Sequence, residues 1–129
     1  MKITIVVDAN PIISALIGGF SREVFFRHDF QFVTTEYTLN EVRKYLPRIT
    51  EKSGITLPVI NELLLLLPIK VIEKEEYSSF LPKATALIAD RKDAEILALA
   101  LAKGHPLWSN DQHFENIPGI VLLKTKDFV

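Results

Sequence analysis

Residues 2–11 have the sequence KITIVVDANP, in which an apolar and β-branched run, residues 2–7, is followed directly by the acid Asp8. Such a run predicts a buried β-strand over residues 2–7. Asn10 followed by Pro11 is typical of a helix start, with Asn10 as the N-cap and proline at the first helical position, so we expect a short helix there. A carboxylate that directly follows a buried strand has little use in packing, and Asp8 is therefore a candidate functional residue.

Runs of strand and helix character alternate along the rest of the chain. Further strands are expected at residues 30–34, 69–72, 107–109 and 120–123. Helices are expected at residues 12–17, 21–28, 36–52, 58–67, 82–89 and 92–103. This alternation predicts an α/β fold with three layers, α/β/α, around a mostly parallel central sheet. A length of 129 residues fits one domain, which we expect to span residues 1–129.

Four acids stand where such a sheet would bring them together. Asp8 and Asp111 each directly follow an apolar strand, and ligands of parallel sheets bind beyond the carboxyl ends of the strands. The helices that contain Glu41 and Asp93 can each present one carboxylate to the same edge. Carboxylates that meet repel one another and raise each other's pKa values, so a cation normally holds them. Oxygen ligands select hard ions such as Mg²⁺ or Mn²⁺, and these ions activate water and stabilise charge on a phosphate during in-line attack.

Three of these acids also have a purely structural interpretation. Glu41 stands three residues after Thr38, which is the spacing of a capping box. Asp93 stands three residues after Asp90, an expected N-cap, so compensation of the helix dipole explains it nearly as well. Asp111 can be an ordinary turn residue in the sequence Ser-Asn-Asp-Gln.

Composition limits the class of protein. Hydrophobic residues make up 48% of the chain, so a sizeable core is expected. The chain has no cysteine, which excludes disulfides, a thiolate nucleophile and a zinc–cysteine site. The net charge of −1 neither supports nor excludes a polyanionic substrate. The N-terminus is expected to be a strand and not a signal peptide, no apolar run is long enough to span a membrane, and a cytoplasmic location is expected.

Three further groups of side chains have a simpler structural interpretation. The histidines show no ligand spacing and are expected at the surface, although His113 lies near the acids and can at most contact substrate. Arg43, Lys44, Arg48 and Lys52 lie along one predicted helix, as a solvated face or as contacts to an RNA backbone. The aromatic residues Phe25, Phe26, Phe30 and Phe32 are expected in the core, or alternatively in an apolar dimer patch.

Four pieces of the chain together resemble a known family. They are residues 7–10 (VDAN) with 12–16 (IISAL), residues 40–42 (NEV), residues 90–100 (DRKDAEILALA) and residues 108–114 (WSNDQHF). In this order and at these intervals, they resemble the PIN-domain ribonucleases, in particular the free-standing kind that includes VapC-type toxins. No single piece is specific, but together they cover most of the chain.

The resemblance implies an activity and a role for each matched residue. It implies that the four acids bind Mg²⁺ or Mn²⁺, that Ser109 hydrogen-bonds and orients an acid, and that Asn10 is the small polar residue after the first acid. It implies a metal-dependent endoribonuclease that cleaves single-stranded RNA and leaves a 5′-phosphate and a 3′-hydroxyl. It also implies an antitoxin and a second copy of the chain as possible partners. Trp108 is bulkier than the family usually has at its position and is expected to alter packing beneath the site.

Two other functions remain open on the sequence alone. Asp8 and Asn10 resemble the Asp-x-Asp of haloacid-dehalogenase-like phosphatases, but the second acid and the later lysine with its acidic pair are missing. The other alternative is a PIN fold that only binds RNA or a protein. Retention of four clustered acids argues against that alternative, because unused clustered carboxylates lower stability.

Overall fold

A computed structural model describes residues 2–129, and in this range the chain forms five β-strands and six α-helices. The strands are Ile3–Val7 (β1), Phe30–Thr35 (β2), Ile69–Ile72 (β3), Leu107–Trp108 (β4) and Leu122–Leu123 (β5). The helices are Ala9–Leu16 (α1), Ser21–Phe25 (α2), Glu36–Ser53 (α3), Leu57–Leu66 (α4), Leu81–Leu87 (α5) and Arg91–Lys103 (α6). The expected α/β class is confirmed.

The order of strands in the sheet creates a crevice beside β1. The strands lie in the order β3-β2-β1-β4-β5, and every neighbouring pair is parallel. The chain therefore builds one half of the sheet outward from β1 and then returns to build the other half. Ligands of such sheets bind at the carboxyl ends of the strands where the order reverses, here between β1 and β4. Because Val7 is paired with Trp108, the residues that follow them, Asp8 and Ser109, are neighbours.

Two hydrophobic cores, one on each face of the sheet, confirm the three layers. Ile5 and Val7 of β1 belong to the core that includes residues of α1, α3 and α4, whereas Val6 belongs to the core with α5 and α6. All three side chains are almost fully buried. Residues 5–7 of the strand are buried on both faces of the sheet and need apolar side chains, which is why this part of β1 shows no polar alternation.

Several predicted boundaries were wrong. Helix α1 begins at Ala9, so Asp8 and not Asn10 occupies the N-cap position, and Pro11 lies in the first turn, where its missing N–H costs no helical bond. Helix α2 ends at Phe25 and not at His28. Its first residue, Ser21, does not cap it but donates a hydrogen bond to the carbonyl of Pro11. The side chains of Asn10 and Ser21 both bond to other parts of the chain and not to their own helices. The last strand is also shorter than residues 120–123.

The phenylalanines form part of the core, as the first interpretation expected. Phe25 and Phe32 are buried and pack against Trp108, with ring centres 5.0 and 5.7 Å from the indole. Trp108 also contacts Phe128 at 4.8 Å, so its large ring ties β4 to the C-terminal end of the chain. Phe26 differs, because it is 54% exposed.

Candidate metal centre

The four sequence-predicted acids line one cavity of about 260 Å³ at the carboxyl edge of the sheet. The cavity is also lined by Asn10 and His113. Strands β1 and β4 bring two of the acids there and helices α3 and α6 bring the other two.

Asp8 is one of two buried acids of this cavity, with 9% of its surface exposed against 8% for Asp93. The hydroxyl of Ser109 donates a hydrogen bond of 2.8 Å to Oδ2 of Asp8, and this bond fixes the carboxylate. The pKa of Asp8 is raised from 3.8 to about 6, mainly by burial and to a smaller extent by the nearby charges of Asp93 and Asp111, while the hydrogen bonds from Ser109 and the backbone of Ala9 oppose the shift. Repulsion between acids therefore contributes as expected, but burial has the larger effect.

Asn10 and Ser109 hold the first acid against the loop that carries the last one. The amide of Asn10 donates to Oγ of Ser109 at 3.3 Å, and its oxygen accepts from the backbone N–H of Asn110 at 3.1 Å. Oγ of Ser109 also accepts from the backbone N–H of Asp111 at 3.1 Å. These contacts connect α1 to the segment after β4 and set the position of Asp8 relative to Asp111.

Asp93 lies in the first turn of α6, where the dipole interpretation expected it, and Asp90 is the N-cap of that helix. Oδ1 of Asp90 accepts from the backbone N–H of Lys92 at 2.9 Å, as the sequence predicted. The carboxylate of Asp93 instead lies 3.0 Å from Nδ1 of His113. Burial raises the pKa of Asp93, although the hydrogen bond with His113 opposes the shift.

Asp111 combines the turn role with a place in the cavity. It is the N-cap of a short 3₁₀ helix over Gln112–Phe114, and its Oδ1 accepts from the backbone N–H of His113 at 2.9 Å. The turn interpretation is therefore right for this oxygen. The same carboxylate still lines the cavity beside Asp8 and Asp93.

The capping interpretation of Glu41 is wrong. The N-cap of α3 is Thr35, whose hydroxyl accepts from the backbone N–H of Thr38, and Glu41 lies in the second turn, beyond the unpaired N–H groups. Its Oε1 lies 3.1 Å from Nζ of Lys44, and its Oε2 lies 3.5 Å from Nζ of Lys92. The structure thus places Glu41 at the cavity with lysines beside both of its oxygens.

Sequence reasoning gave His113 too little weight. Its Nδ1 lies 3.0 Å from Oδ2 of Asp93 and 3.4 Å from Oδ1 of Asp111, and these carboxylates raise its pKa. The only local signal was its position two residues after Asp111, which a tight turn brings close. The contact with Asp93 comes from an element 20 residues away in sequence.

The donor atoms fit a divalent cation. Asp93, Asp111 and His113 each offer one ligand atom, and these three atoms all lie within 4.8 Å of one another. Asp8 and Glu41 line the same cavity but are not among the three residues whose ligand atoms come this close together. Carboxylate oxygens with one imidazole nitrogen are suitable ligands for Mg²⁺, Mn²⁺ or a related ion.

A groove adjoins the carboxylate cavity and carries part of the basic face of α3. It is a space of about 490 Å³ lined by Arg48 and Lys52, and it shares Ile13 and Tyr45 with the cavity. The guanidinium of Arg48 lies 5.8 Å from the centre of the Tyr45 ring, which is 42% exposed.

The rest of that basic face is engaged elsewhere. Arg43 pairs with Glu36 at 2.9 Å and with Asn40 at 2.7 Å. The basic residues of α3 therefore divide into one that pairs locally, one beside Glu41, and two beside the groove.

The part of the chain that the structure describes, residues 2–129, contains no helix with the length and apolar character needed to cross a bilayer.

Comparisons with known proteins agree with this fold. A family model described as PIN domain matches residues 6–127. Among solved structures, the chain resembles VapBC2 from Rickettsia felis, determined in a complex with a DNA fragment from their promoter. The identity is 15%, the TM-score is 0.67, and the match covers 95% of this chain and 98% of the other. No curated protein matches the sequence. Because the family model covers nearly the whole chain, this protein belongs to the PIN domain family.

Proposed function

We propose that the protein is a Mg²⁺- or Mn²⁺-dependent endoribonuclease that hydrolyses phosphodiester bonds of single-stranded RNA. The observation that carries the proposal is the convergence of Asp8, Glu41, Asp93 and Asp111 on one cavity at the switch point of a PIN-domain sheet. The family match also favours a nuclease over the phosphatase alternative. We do not favour the binding-only alternative. An acid buried next to other acids lowers the stability of the fold unless a bound cation neutralises their charge.

In this proposal the acids hold the ion and the neighbouring groups position the acids. Bound there, a divalent ion supplies an activated water and stabilises charge on the scissile phosphate. Ser109 directs Oδ2 of Asp8, and Asn10 holds Ser109 and the backbone of Asn110, so the ligands need little reorganisation. Burial of Asp8 keeps its carboxylate largely free of competing solvent.

The residues of the groove beside the cavity favour a single-stranded RNA as the substrate. Tyr45 offers an exposed ring for base stacking, which is worth about 1–3 kcal/mol per base in single-strand binding proteins. Arg48 and Lys52 line the same groove and offer positive charge to the phosphates that follow. Lys92 lines the cavity beside Glu41 and offers further charge to the scissile phosphate.

We expect the purified protein to cleave a fluorescent single-stranded RNA with Mn²⁺ or Mg²⁺ and to lose all cleavage in EDTA. The products should carry a 5′-phosphate and a 3′-hydroxyl, which mass spectrometry of the fragments determines. Single-stranded DNA and duplex RNA of the same sequence are the matched substrates for specificity. Cleavage that persists in EDTA would rule out the metal mechanism, and metal binding without cleavage of any RNA would favour the binding-only alternative.

The likeness to VapBC2 also suggests which proteins this chain binds. The solved neighbour is VapBC2 bound to promoter DNA, and this supports an antitoxin as the partner of this chain. Pairing of two copies stays a prediction, which light scattering of the purified protein checks. An inhibitory partner encoded by a neighbouring short reading frame is the outcome that we expect.

A further inference from the structure

His113 is held toward the carboxylates by its own backbone. Its backbone N–H donates to Oδ1 of Asp111 at 2.9 Å and so caps the start of the 3₁₀ helix, and the residue lines the cavity. The side chain is 56% exposed, so burial does not force the contact. Its Nδ1 nevertheless lies 3.0 Å from Asp93 and 3.4 Å from Asp111, which places it between two carboxylates from different elements.

These spacings match those expected for atoms that share one ion. Two ligands at right angles around an octahedral ion, each about 2.1 Å from it, are about 3 Å apart. The distances from Nδ1 to the two carboxylate oxygens, 3.0 and 3.4 Å, are close to this value. Without a metal ion, the 3.0 Å contact is a hydrogen bond to Asp93, and Asp111 offers a second carboxylate at a similar distance from the same nitrogen.

We propose that His113 is a ligand of the catalytic ion together with Asp93 and Asp111, and that it gives the site a preference for Mn²⁺ over Mg²⁺. The inference rests on the proposed function, because it concerns the same ion. Imidazole nitrogen is a good ligand for first-row transition metals, whereas Mg²⁺ prefers oxygen ligands and keeps several waters. A site with one nitrogen ligand therefore favours the transition metals.

The test is electron spin-echo spectroscopy of Mn²⁺ bound to untagged protein. We expect modulation from a directly coordinated ¹⁴N nucleus in the parent, and loss of this signal in both His113→Ala and His113→Gln. Calorimetry should show Mn²⁺ affinity about tenfold weaker or more in these variants, as for loss of a metal-site contact, with a smaller change for Mg²⁺. His28→Ala is the matched control, because His28 is exposed and does not line the cavity, and it should keep the parent signal.

The outcomes separate this inference from the proposed function. Mn²⁺ that binds without ¹⁴N modulation, or modulation that persists in His113→Ala, overturns the role of His113 and leaves the metal-dependent nuclease intact. Failure of the parent to bind Mn²⁺ or Mg²⁺ overturns both.

Discussion

Replacing Asp8 or Asp111 by Asn should reduce the rate of RNA cleavage by orders of magnitude at a fixed Mn²⁺ concentration. Each substitution keeps the size of the side chain and removes a negative charge from the cavity that both residues line. Hard divalent ions depend on charged oxygen ligands, and an ion that is bound weakly or displaced no longer activates water at the phosphate. The measurement is kcat/KM on a single-stranded RNA, with folding checked by circular dichroism.

Asp29→Asn is the matched control for this experiment. It makes the same chemical change at an exposed residue just before β2, at the amino-terminal edge of the sheet and so away from the cavity. We expect parent-like kinetics for this variant. Full activity of Asp8→Asn would remove Asp8 from the metal site, and equal losses in all three variants would show a general effect on folding.

Without metal, Asp8→Asn should be more stable than the parent above pH 7. The folded pKa of Asp8 is about 6 and its ordinary value is 3.8, a difference worth about 3 kcal/mol. Because the folded pKa is raised, the stability that protonation provides is fully present below pH 3.8 and is lost as the pH rises through about 6. Asn has no charge to bury, and its side-chain oxygen can still accept the hydrogen bond from Ser109.

Urea unfolding in EDTA at a series of pH values tests this prediction. The variant should gain on the order of 2–3 kcal/mol over the parent at pH 8, and the gain should shrink below pH 6 and vanish near pH 4. Asp29→Asn should show no such dependence. A variant that is less stable than the parent at pH 8 would show that Asp8 supports the metal-free fold and is not strained by its burial.

Most of the fold could be predicted from local patterns because the sheet is parallel. Residues 5–7 of strand β1 are buried on both faces, so their continuous apolar run is visible in the sequence. The acids after β1 and β4 could be placed at one edge for the same reason, since the carboxyl ends of parallel strands meet there.

The errors arose where a polar side chain bonds to a distant part of the chain. Asn10 was expected to cap its own helix, but its partners are Ser109 and Asn110, about a hundred residues away. Asn is equally suited to either use, so its local context could not distinguish them. The pairing of Glu41 with Lys92 also depends on how α3 and α6 pack.

The strength of burial at Asp8 was equally hidden from the sequence. The clustered acids suggested that mutual repulsion would dominate, whereas desolvation is the larger cause of its raised pKa. How far a carboxylate lies below the surface depends on the elements around it. A pattern of residue types can identify the acid, but it does not show how deeply the carboxylate is buried.

The central claim is that these carboxylates hold a divalent ion, and calorimetric titration of Mn²⁺ into the metal-free protein tests it most directly. We expect stoichiometric binding to the parent and to Asp29→Asn. Binding should be at least about tenfold weaker in Asp8→Asn and in Asp93→Asn, which each remove one charged ligand. No binding to the parent, or binding to both cavity variants as tight as to the parent, would contradict the claim.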